Sequence, residues 1–98
     1  MKCATYVAAG LADRGIVFCG TGIGISIAAN KIKGIRCALV TSRVEAEFAA
    51  AHNHANMLAF GGRTTTAEDA AVYTQVWLTT PEDFAERHVR RVEMLNAL

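Results

Sequence analysis

The sequence predicts a single α/β domain in which one parallel sheet is covered by helices on both faces. Three short segments are almost continuously apolar, as buried strands of parallel sheets are: Gly15–Cys19, Arg36–Thr41 and Asn56–Phe60. Helical spacing follows each of them, and such an alternation of strands and helices is typical of a parallel sheet. The 98 residues contain no internal repeat, linker or low-complexity tract, so the sequence predicts one domain over residues 1–98.

The first half of the chain alternates regularly between helix and strand. Residues Ala4–Ala12 have the composition of a short helix, and they precede the first strand, in which Ile16–Phe18 form an apolar run predicted to be buried. A glycine-rich turn then opens a helix over Gly24–Ile32, and the second strand follows it. The alanine-rich stretch Val44–Ala51 predicts the third helix, because alanine is the best helix former.

Two more helices are predicted after the third strand. The first of them spans Ala67–Leu78. Its predicted core face consists of Val72, Val76 and Trp77. Pro81 is expected to start the last helix, Glu82–Ala97, because proline is favoured in the first turn of a helix. The predicted apolar side of that helix consists of Phe84, Val92 and Leu95.

Composition and charge argue against several classes of protein. The formal net charge of +1 gives no basis for binding nucleic acid or a charged membrane surface. No apolar run approaches the roughly 20 residues that span a bilayer, and Lys2 is not followed by the apolar block of a signal peptide. Three cysteines without a C-x-x-C pair are typical of free thiols, so the sequence predicts a protein of the reducing cytoplasm.

The most informative segment joins the first strand to the next helix. Cys19 ends the strand, and a glycine-rich turn follows it directly, consisting of Gly20, Thr21, Gly22, Ile23 and Gly24. Glycine lets the backbone pass close to a ligand, and the start of a helix directs unpaired N–H groups toward an anion. The same field lowers the pKa of a thiol placed there, so Cys19 is a candidate for chemistry.

Both features of this segment also have a purely structural interpretation. The glycine spacing matches neither the dinucleotide-binding motif nor the phosphate loop, for which Lys31 comes too late. Such a turn is more often a plain connection, and a free cysteine often acts as a small buried apolar residue. Cys3 and Cys37 do not lie at the end of a strand before a helix, and we interpret both as structural.

A polar cluster closes the alanine-rich helix just before the third strand. His52 and His54 are two residues apart, which directs their rings apart on a helix, and no Cys, Asp or Glu beside them completes a metal site. The structural interpretation is a polar turn in which His52 interacts with the helix dipole. Ligands of open α/β sheets bind beyond the carboxyl ends of the strands, so we expect His52 and Asn53 to join Cys19 there.

Arginines form a second candidate cluster. Arg87 and Arg91 are four residues apart and share a helix face, so that their guanidinium groups can grip one phosphate, whereas Arg90 points elsewhere. Arg63 follows the third strand and is a further candidate anion ligand. The alternative is an ordinary solvated helix surface in which acidic neighbours neutralise the arginines, namely Glu82, Asp83, Glu86 and Glu93.

Four segments in this order resemble the type B ribose-5-phosphate isomerases, a family that also includes galactose-6-phosphate isomerase subunits. They are CGTGIGISIAANK from Cys19, KGIRCALV from Lys33, AHNHANMLAFGGR from Ala51 and RHVRRVE from Arg87. The resemblance covers nearly the whole chain and implies a three-layer, Rossmann-like fold. It also implies an aldose-ketose isomerase of the pentose phosphate pathway that uses no metal or organic cofactor.

The resemblance further implies the role of each candidate residue. Cys19 matches the base that moves a proton between C1 and C2 of the sugar, and His52 matches the residue that opens the furanose ring. The turn from Gly20 to Gly24 matches the loop whose amides hold the enediolate, and Cys19 together with Thr21 favours ribose 5-phosphate. Substrate contacts are implied for Asn53, and phosphate contacts for Arg63, Arg87 and Arg91. Members of the family form homodimers or homotetramers whose sites are shared between subunits.

Two departures from the family leave alternatives open. The usual His-Asn-Asp is His52-Asn53-His54 here, and the two opening strands of the family, with their Asp-His pair, have no match in Met1–Ala12. The chain thus corresponds to the C-terminal two-thirds of the family domain. It is then a fragment or a mis-set start, a half completed by a partner polypeptide, or a catalytically silent module that binds sugar phosphate or dimerises. An isomerase of another substrate, such as galactose 6-phosphate or a tetrose phosphate, also stays open.

The same departure gives an expectation about the sheet. Without the strand that lies beside it in the family, Gly15–Cys19 is expected to be an unpaired edge, which is a template for pairing with another chain. We therefore expect the chain alone to be inactive, and either to aggregate or to self-associate through this edge.

Overall fold

A computed structural model describes all 98 residues of the chain and contains five helices and three strands. In order, they are α1 (Lys2–Ala8), β1 (Gly15–Cys19), α2 (Ile23–Asn30), β2 (Cys37–Leu39), α3 (Arg43–Ala51), β3 (Met57–Gly61), α4 (Ala67–Thr79) and α5 (Glu86–Asn96). The strands form one parallel sheet in the order β1-β3-β2, which confirms the predicted fold class. None of the helices is long and apolar enough to cross a membrane.

The sheet has two ends, which hold different groups of candidate residues. β3 lies in the centre with all five residues buried, and it pairs in register with β1 from Gly15 opposite Met57 to Cys19 opposite Gly61. We call the end at which β1 and β3 begin the amino edge, and the end at which they finish the carboxyl edge. Because all strands are parallel, loops that enter the strands lie at the amino edge and loops that leave them lie at the carboxyl edge.

Two apolar cores lie on opposite faces of the sheet. On one face, α1 and α2 pack on β1 and β3, and Ala4, Val17 and Met57 are among the buried residues. On the other face, α3 and α4 pack on β3, with Trp77 and Phe60 as the largest buried side chains. Helices thus cover both faces of the sheet, as the sequence predicts.

The prediction that Ile16–Phe18 form a buried run is wrong for two of the three residues. Val17 is buried, but Ile16 is 36% exposed and Phe18 is 58% exposed. β1 pairs with β3 only, so its other side is the predicted open edge. The helices on the far face leave this edge uncovered, and Phe18 meets only the edge of that core, with its ring centroid 5.6 Å from that of Phe60.

The last two helices also differ from the prediction. Val72 is exposed, because the buried side of α4 is set by Ala70 and Trp77. α5 begins at Glu86 and not after Pro81, since the segment between α4 and α5 is held to the end of α3 by the Asp83 N–H, which donates to the Ala51 carbonyl at 2.9 Å. Of the predicted apolar side of α5, only Val92 is buried, and Phe84 and Leu95 are exposed.

Local signals explain where the other helices begin and end. The side chains of Ser42 and Thr66 accept backbone N–H groups three residues later and so cap α3 and α4. α1 ends at Ala8 rather than Ala12, because the chain turns at Gly10, whose φ is 77°. The remaining predicted bounds agree with the observed ones to within two residues, and those of β1 are identical.

Candidate functional site

Cys19 lies at the carboxyl edge, directly in front of α2. The backbone N–H of Gly22 donates to the Cys19 sulfur at 3.1 Å. The pKa of Cys19 is lowered, chiefly by the backbone N–H of Ile25; partial burial opposes this shift, and the N–H groups of Gly22, Thr21 and Gly24 add to it. A thiol in this position forms the nucleophilic, proton-accepting thiolate more readily than an ordinary cysteine does.

The shape of the turn around this thiol depends on glycine at two positions. Gly22 has a φ of 79°, and a Cβ on it would lie 2.9 Å from the backbone carbon of Phe60. A Cβ on Gly61 would lie 2.6 Å from the Thr21 carbonyl carbon, so the turns that leave β1 and β3 are in direct backbone contact. Any residue with a Cβ at position 22 or 61 would push these turns apart.

Hydrogen bonds lock the two turns together. The N–H of Gly62 donates to the Cys19 carbonyl at 2.7 Å, and the N–H of Arg63 donates to the Gly20 carbonyl at 2.9 Å. The Arg63 side chain folds back over Gly20, with Nε 3.4 Å from the place of a Cβ there. The carboxyl edge therefore unites a thiol, a set of N–H donors and a cation, as the sequence predicts for Cys19 and Arg63.

The other two cysteines lie in a different environment. Cys37 is half-buried in β2, and burial, followed by the nearby Cys3, raises its pKa to about 11. The sulfur of Cys3 packs against Gly15, at 2.8 Å from the place of a Cβ on that residue. Both side chains pack against the core between the sheet and α1 and α2, which fits their structural interpretation.

His52 and Asn53 lie at the amino edge, so the expectation that they join Cys19 at the carboxyl edge is wrong. α3 ends at Ala51 and the next strand begins at Met57, so the loop between them enters a strand and does not leave one. Its last residue, Asn56, donates its backbone N–H to the Arg36 carbonyl just before β2. Along β3, the two edges are four residue steps apart, which is about 13 Å at the usual rise of a strand.

The His52 imidazole is held between two other rings. Its centroid lies 4.3 Å from that of Phe48, one turn earlier on α3, and 4.3 Å from that of His88 on α5. The planes differ by only 12° and 9°, so both faces of His52 are covered and its edge remains free. Desolvation, followed by the charges of His52 and Arg87, lowers the pKa of His88.

His54 has a separate structural position. Its φ of 48° places it in the left-handed region, and its ring is buried against Phe84 with the centroids 5.1 Å apart. Its Nε2 lies 2.9 Å from the Asp83 carbonyl, and its Nδ1 lies 3.8 Å from a Glu82 carboxylate oxygen. His54 therefore ties down the segment before α5, and it shares no metal site with His52.

The arginines of α5 lie near the His52 loop and form no ion pair. Asn53 and Arg91 line one cavity, beside a groove of about 300 Å³ between the loop that enters β2 and the end of α5. The only side-chain ion-pair contacts in the structure join His54 to Glu82 and His88 to Asp83. Arg87 and Arg91 thus make no ion pair, although the charge of Arg87 helps to lower the pKa of Asp83, and the alternative of an ordinary solvated helix surface stays open.

Three contributors to this edge were not identified from the sequence. Phe48, Asp83 and His88 set the surroundings of His52, yet Asp83 was considered only as a neutralising acid. The spacing of four residues between Phe48 and His52 is a signal for ring contact on a helix. Contact between α3 and α5 has no such local signal, because it depends on how the two helices pack.

Comparison with known proteins gives a consistent result. The family model described as Ribose/Galactose Isomerase matches residues 1–95. Ribose-5-phosphate isomerase B of Escherichia coli (strain K12) is 43% identical over 95 residues, which are 97% of this chain and 63% of that protein. Its namesake in Mycobacterium tuberculosis (strain H37Rv) is 42% identical over 92 residues, or 94% of this chain and 57% of that one.

A solved structure agrees with these relatives. Type B ribose 5-phosphate isomerase from Trypanosoma cruzi superposes with a TM-score of 0.95 at 42% identity, over 98% of this chain and 64% of that one. The chain therefore spans about 60% of the length of the relatives it matches. By the extent of the family match and by the fold, this chain belongs to the ribose/galactose isomerase family.

Proposed function

We propose that this protein interconverts ribose 5-phosphate and ribulose 5-phosphate through an enediolate, with Cys19 as the base. The observation that carries the proposal is the Cys19 thiol at the start of α2, where backbone N–H groups lower its pKa. Residues 1–98 then form one sugar-phosphate isomerase domain that corresponds to part of the longer relatives. The names of the E. coli and T. cruzi proteins support the same substrate.

The proposed chemistry is a proton transfer between neighbouring carbons. The Cys19 thiolate removes the proton from C2 of the open-chain aldose, the electron pair forms the C1–C2 double bond, and O1 takes the negative charge. The thiol then returns the proton to C1 while the hydroxyl proton of O2 passes to O1, which leaves a ketone at C2. The N–H donors of the turn from Gly20 to Gly24, including Thr21 and Ile23, are preorganised to stabilise the enediolate oxygen.

Arginines supply the binding energy for the non-reacting phosphate. A guanidinium fork matches phosphate oxygens in pairs, and the resulting binding energy can orient the sugar at the reacting carbons. We assign this role to Arg87 and Arg91 at the amino edge and to Arg63 at the carboxyl edge. In the same proposal His52 opens the furanose ring, and Asn53 binds the substrate.

The two edges belong to different copies of the chain in this proposal. An extended open-chain pentose phosphate measures about 8 Å from C1 to phosphorus with standard bond lengths, less than the distance of about 13 Å between the edges. A substrate is therefore too short to span the two edges of one copy, which supports a site shared between copies. We infer a homodimer or homotetramer in which the carboxyl edge of one copy faces the amino edge of another.

A second candidate function is binding of a sugar phosphate without turnover. The separation of Cys19 from His52 favours binding without turnover in any single copy. The relatives also contain a segment that has no counterpart among the 98 residues. In that case the arginines and the glycine turn bind the ligand, but proton transfer does not occur.

The test is conversion of ribose 5-phosphate to ribulose 5-phosphate by purified Met1–Leu98, measured together with size-exclusion chromatography. The assay is run on the chain alone and with a peptide from the E. coli relative that covers the part without a counterpart. Whichever condition gives turnover is the reference condition for all variants below. We expect turnover from an oligomer only with the added peptide, with galactose 6-phosphate and a tetrose phosphate as weaker substrates. Binding without conversion under both conditions would instead establish the second candidate.

A further inference from the structure

His52 occupies a place where a side chain is normally free to rotate. It directly follows the last residue of α3, and the ring is only partly buried. Phe48 covers one face of the ring from within the same helix, and this contact alone leaves the opposite face open. The ring of His88 closes that second face from α5, nearly parallel at 9°. Rotation of His52 out of its plane is then blocked on both sides.

His88 is an unexpected residue to find in that position. It is 5% exposed, and its Nε2 has no hydrogen-bond partner. A buried polar atom without a hydrogen bond is unfavourable, so leucine or phenylalanine would suit the packing here at least as well. A buried nitrogen left without a hydrogen bond therefore points to a role beyond packing.

Asp83 lies behind His88 and is itself held firmly in place. Its N–H donates to the Ala51 carbonyl at 2.9 Å, its carbonyl faces His54 Nε2 at 2.9 Å, and its Oδ1 accepts the Ala85 N–H at 2.8 Å. Three of its four polar atoms are thus satisfied by the backbone and by His54. The fourth, Oδ2, lies 3.5 Å from His88 Nε2. The hydrogen bond to Ala85, more than the nearby His88, keeps the pKa of Asp83 low, so the carboxylate remains charged.

We propose that His88, with the Asp83 carboxylate behind it, is the positioning residue of His52 and fixes the plane of its imidazole so that only the nitrogen-bearing edge meets a substrate. This inference rests on the proposed ring-opening role of His52. A flat ring at position 88 is the essential element, because it is the face of His88 that contacts His52. Neither His88 nor Asp83 exchanges a proton with the sugar.

The first test needs no turnover. In the substrate-free chain, the carbon-bound imidazole protons of His52 are shifted upfield in NMR spectra by the two flanking rings. His88→Leu removes one of these rings at similar volume, and His88→Phe retains a flat ring without nitrogen atoms. We expect the upfield shift to decrease in His88→Leu and to persist in His88→Phe. Unchanged His52 resonances in His88→Leu would overturn the inference. Thermal unfolding verifies that both variants fold, and we expect neither Tm to fall below that of the wild type.

The second test uses turnover under the reference condition. We expect His88→Leu to lower kcat about tenfold with KM nearly unchanged, and His88→Phe to recover most of that loss, because misorientation of a reacting group lowers the rate itself. Glu93→Gln, an exposed change on the same helix, is the control and should equal wild type. A phenylalanine variant as slow as the leucine variant would show that the ring nitrogens matter, and the inference would be wrong.

A double-mutant cycle tests the part played by Asp83. Asp83→Asn keeps an oxygen for the Ala85 N–H but removes the charge that faces His88. We expect a loss in kcat of about threefold in the wild type and none in the His88→Phe background, because residues that act through one another are not additive. Equal losses of kcat in both backgrounds would show that Asp83 does not act through His88. Should the wild type show no turnover, the proposed function fails, and the NMR result alone decides on the positioning of His52.

Discussion

The two edges of the sheet are built by opposite means. At the carboxyl edge, backbone groups determine the geometry: two glycine-containing turns contact each other, and their N–H groups surround the Cys19 sulfur. At the amino edge, side chains determine it: Phe48 and His88 enclose His52, and Arg87 and Arg91 make no ion pair. The first edge stabilises negative charge on a small group, and the second is suited to a large anion.

Because of this difference, we expect the two edges to respond differently to mutation. A site formed by backbone tolerates little change at glycine, since a new Cβ moves the main chain itself. A site formed by side chains changes in steps, because each substitution removes one contact and leaves the others. We therefore expect changes to the thiol and the glycine turn at the carboxyl edge to be more damaging than single side-chain changes at the amino edge.

Replacement of the thiol should have the largest effect. We expect Cys19→Ser to lower kcat by about 10²–10⁴-fold, the range in which loss of a general base falls, with little change in KM. Steady-state kinetics under the reference condition measure both. Cys37→Ala is the matched control and should remain close to wild type. Full activity of the serine variant would remove Cys19 from the mechanism.

Alkylation should distinguish the cysteines without any turnover. Only the thiolate reacts, so iodoacetamide should label Cys19 more than about a hundredfold faster than Cys37 at pH 7, because the pKa of Cys37 is raised to about 11. As pH rises, labelling of Cys19 should level off first, since its pKa is lowered, while labelling of Cys37 continues to increase. Mass spectrometry of each peptide gives the rates, and phosphate should protect Cys19. Similar rates for both thiols would contradict the account.

Gly22 and Gly24 lie only two residues apart but have different surroundings, so they form a matched pair of test positions at the carboxyl edge. Gly22→Ala should lower the free energy of unfolding by about 2–4 kcal/mol, from the left-handed conformation and the contact with Phe60. Gly24 has no atom within 4 Å of its Cβ position, so Gly24→Ala should change stability by less than about 1 kcal/mol. Urea unfolding compares them. Equal losses would mean that the turn is less constrained than its contacts indicate.

Single arginine changes should test the amino edge. Arg87→Ala and Arg91→Ala should each raise KM for ribose 5-phosphate about 10–100-fold, the value of a lost charged hydrogen bond, and kcat should change less. Arg63→Ala should also raise KM, although Arg63 lies at the carboxyl edge. Arg90→Ala is the control on α5 and should have a much smaller effect. If Arg90→Ala matched Arg91→Ala, the helix would act only as a diffuse positive surface.

Most of the fold could be predicted from the sequence, because the signals were local. The alternation of apolar strands with helices gave the parallel sheet, and Cys19 with its glycine turn lay where predicted. The errors arose where distant packing decides. Phe18 has the composition of a core residue but lies on an uncovered edge, and the start of α5 depends on the hydrogen bond between Asp83 and Ala51.

The sequence predicts the candidate site residues, whose roles stay predictions, but not their arrangement. His52 was identified, yet its position at the amino edge follows from the direction of the parallel strands and not from any local pattern. Its enclosure by His88 requires contact between α3 and α5, which are separated by a strand and a helix along the chain. A single sequence contains no direct record of such contacts.

In our proposal, one site needs the carboxyl edge of one copy and the amino edge of another. Two inactive variants, Cys19→Ser and His52→Ala, are mixed and refolded together under the reference condition to test this arrangement. If sites are shared, half of the dimers are mixed and each holds one intact site, so turnover should return to about a quarter of wild type. If refolded mixtures that contain mixed dimers are as inactive as either variant alone, both residues serve the same chain, and the claim is wrong.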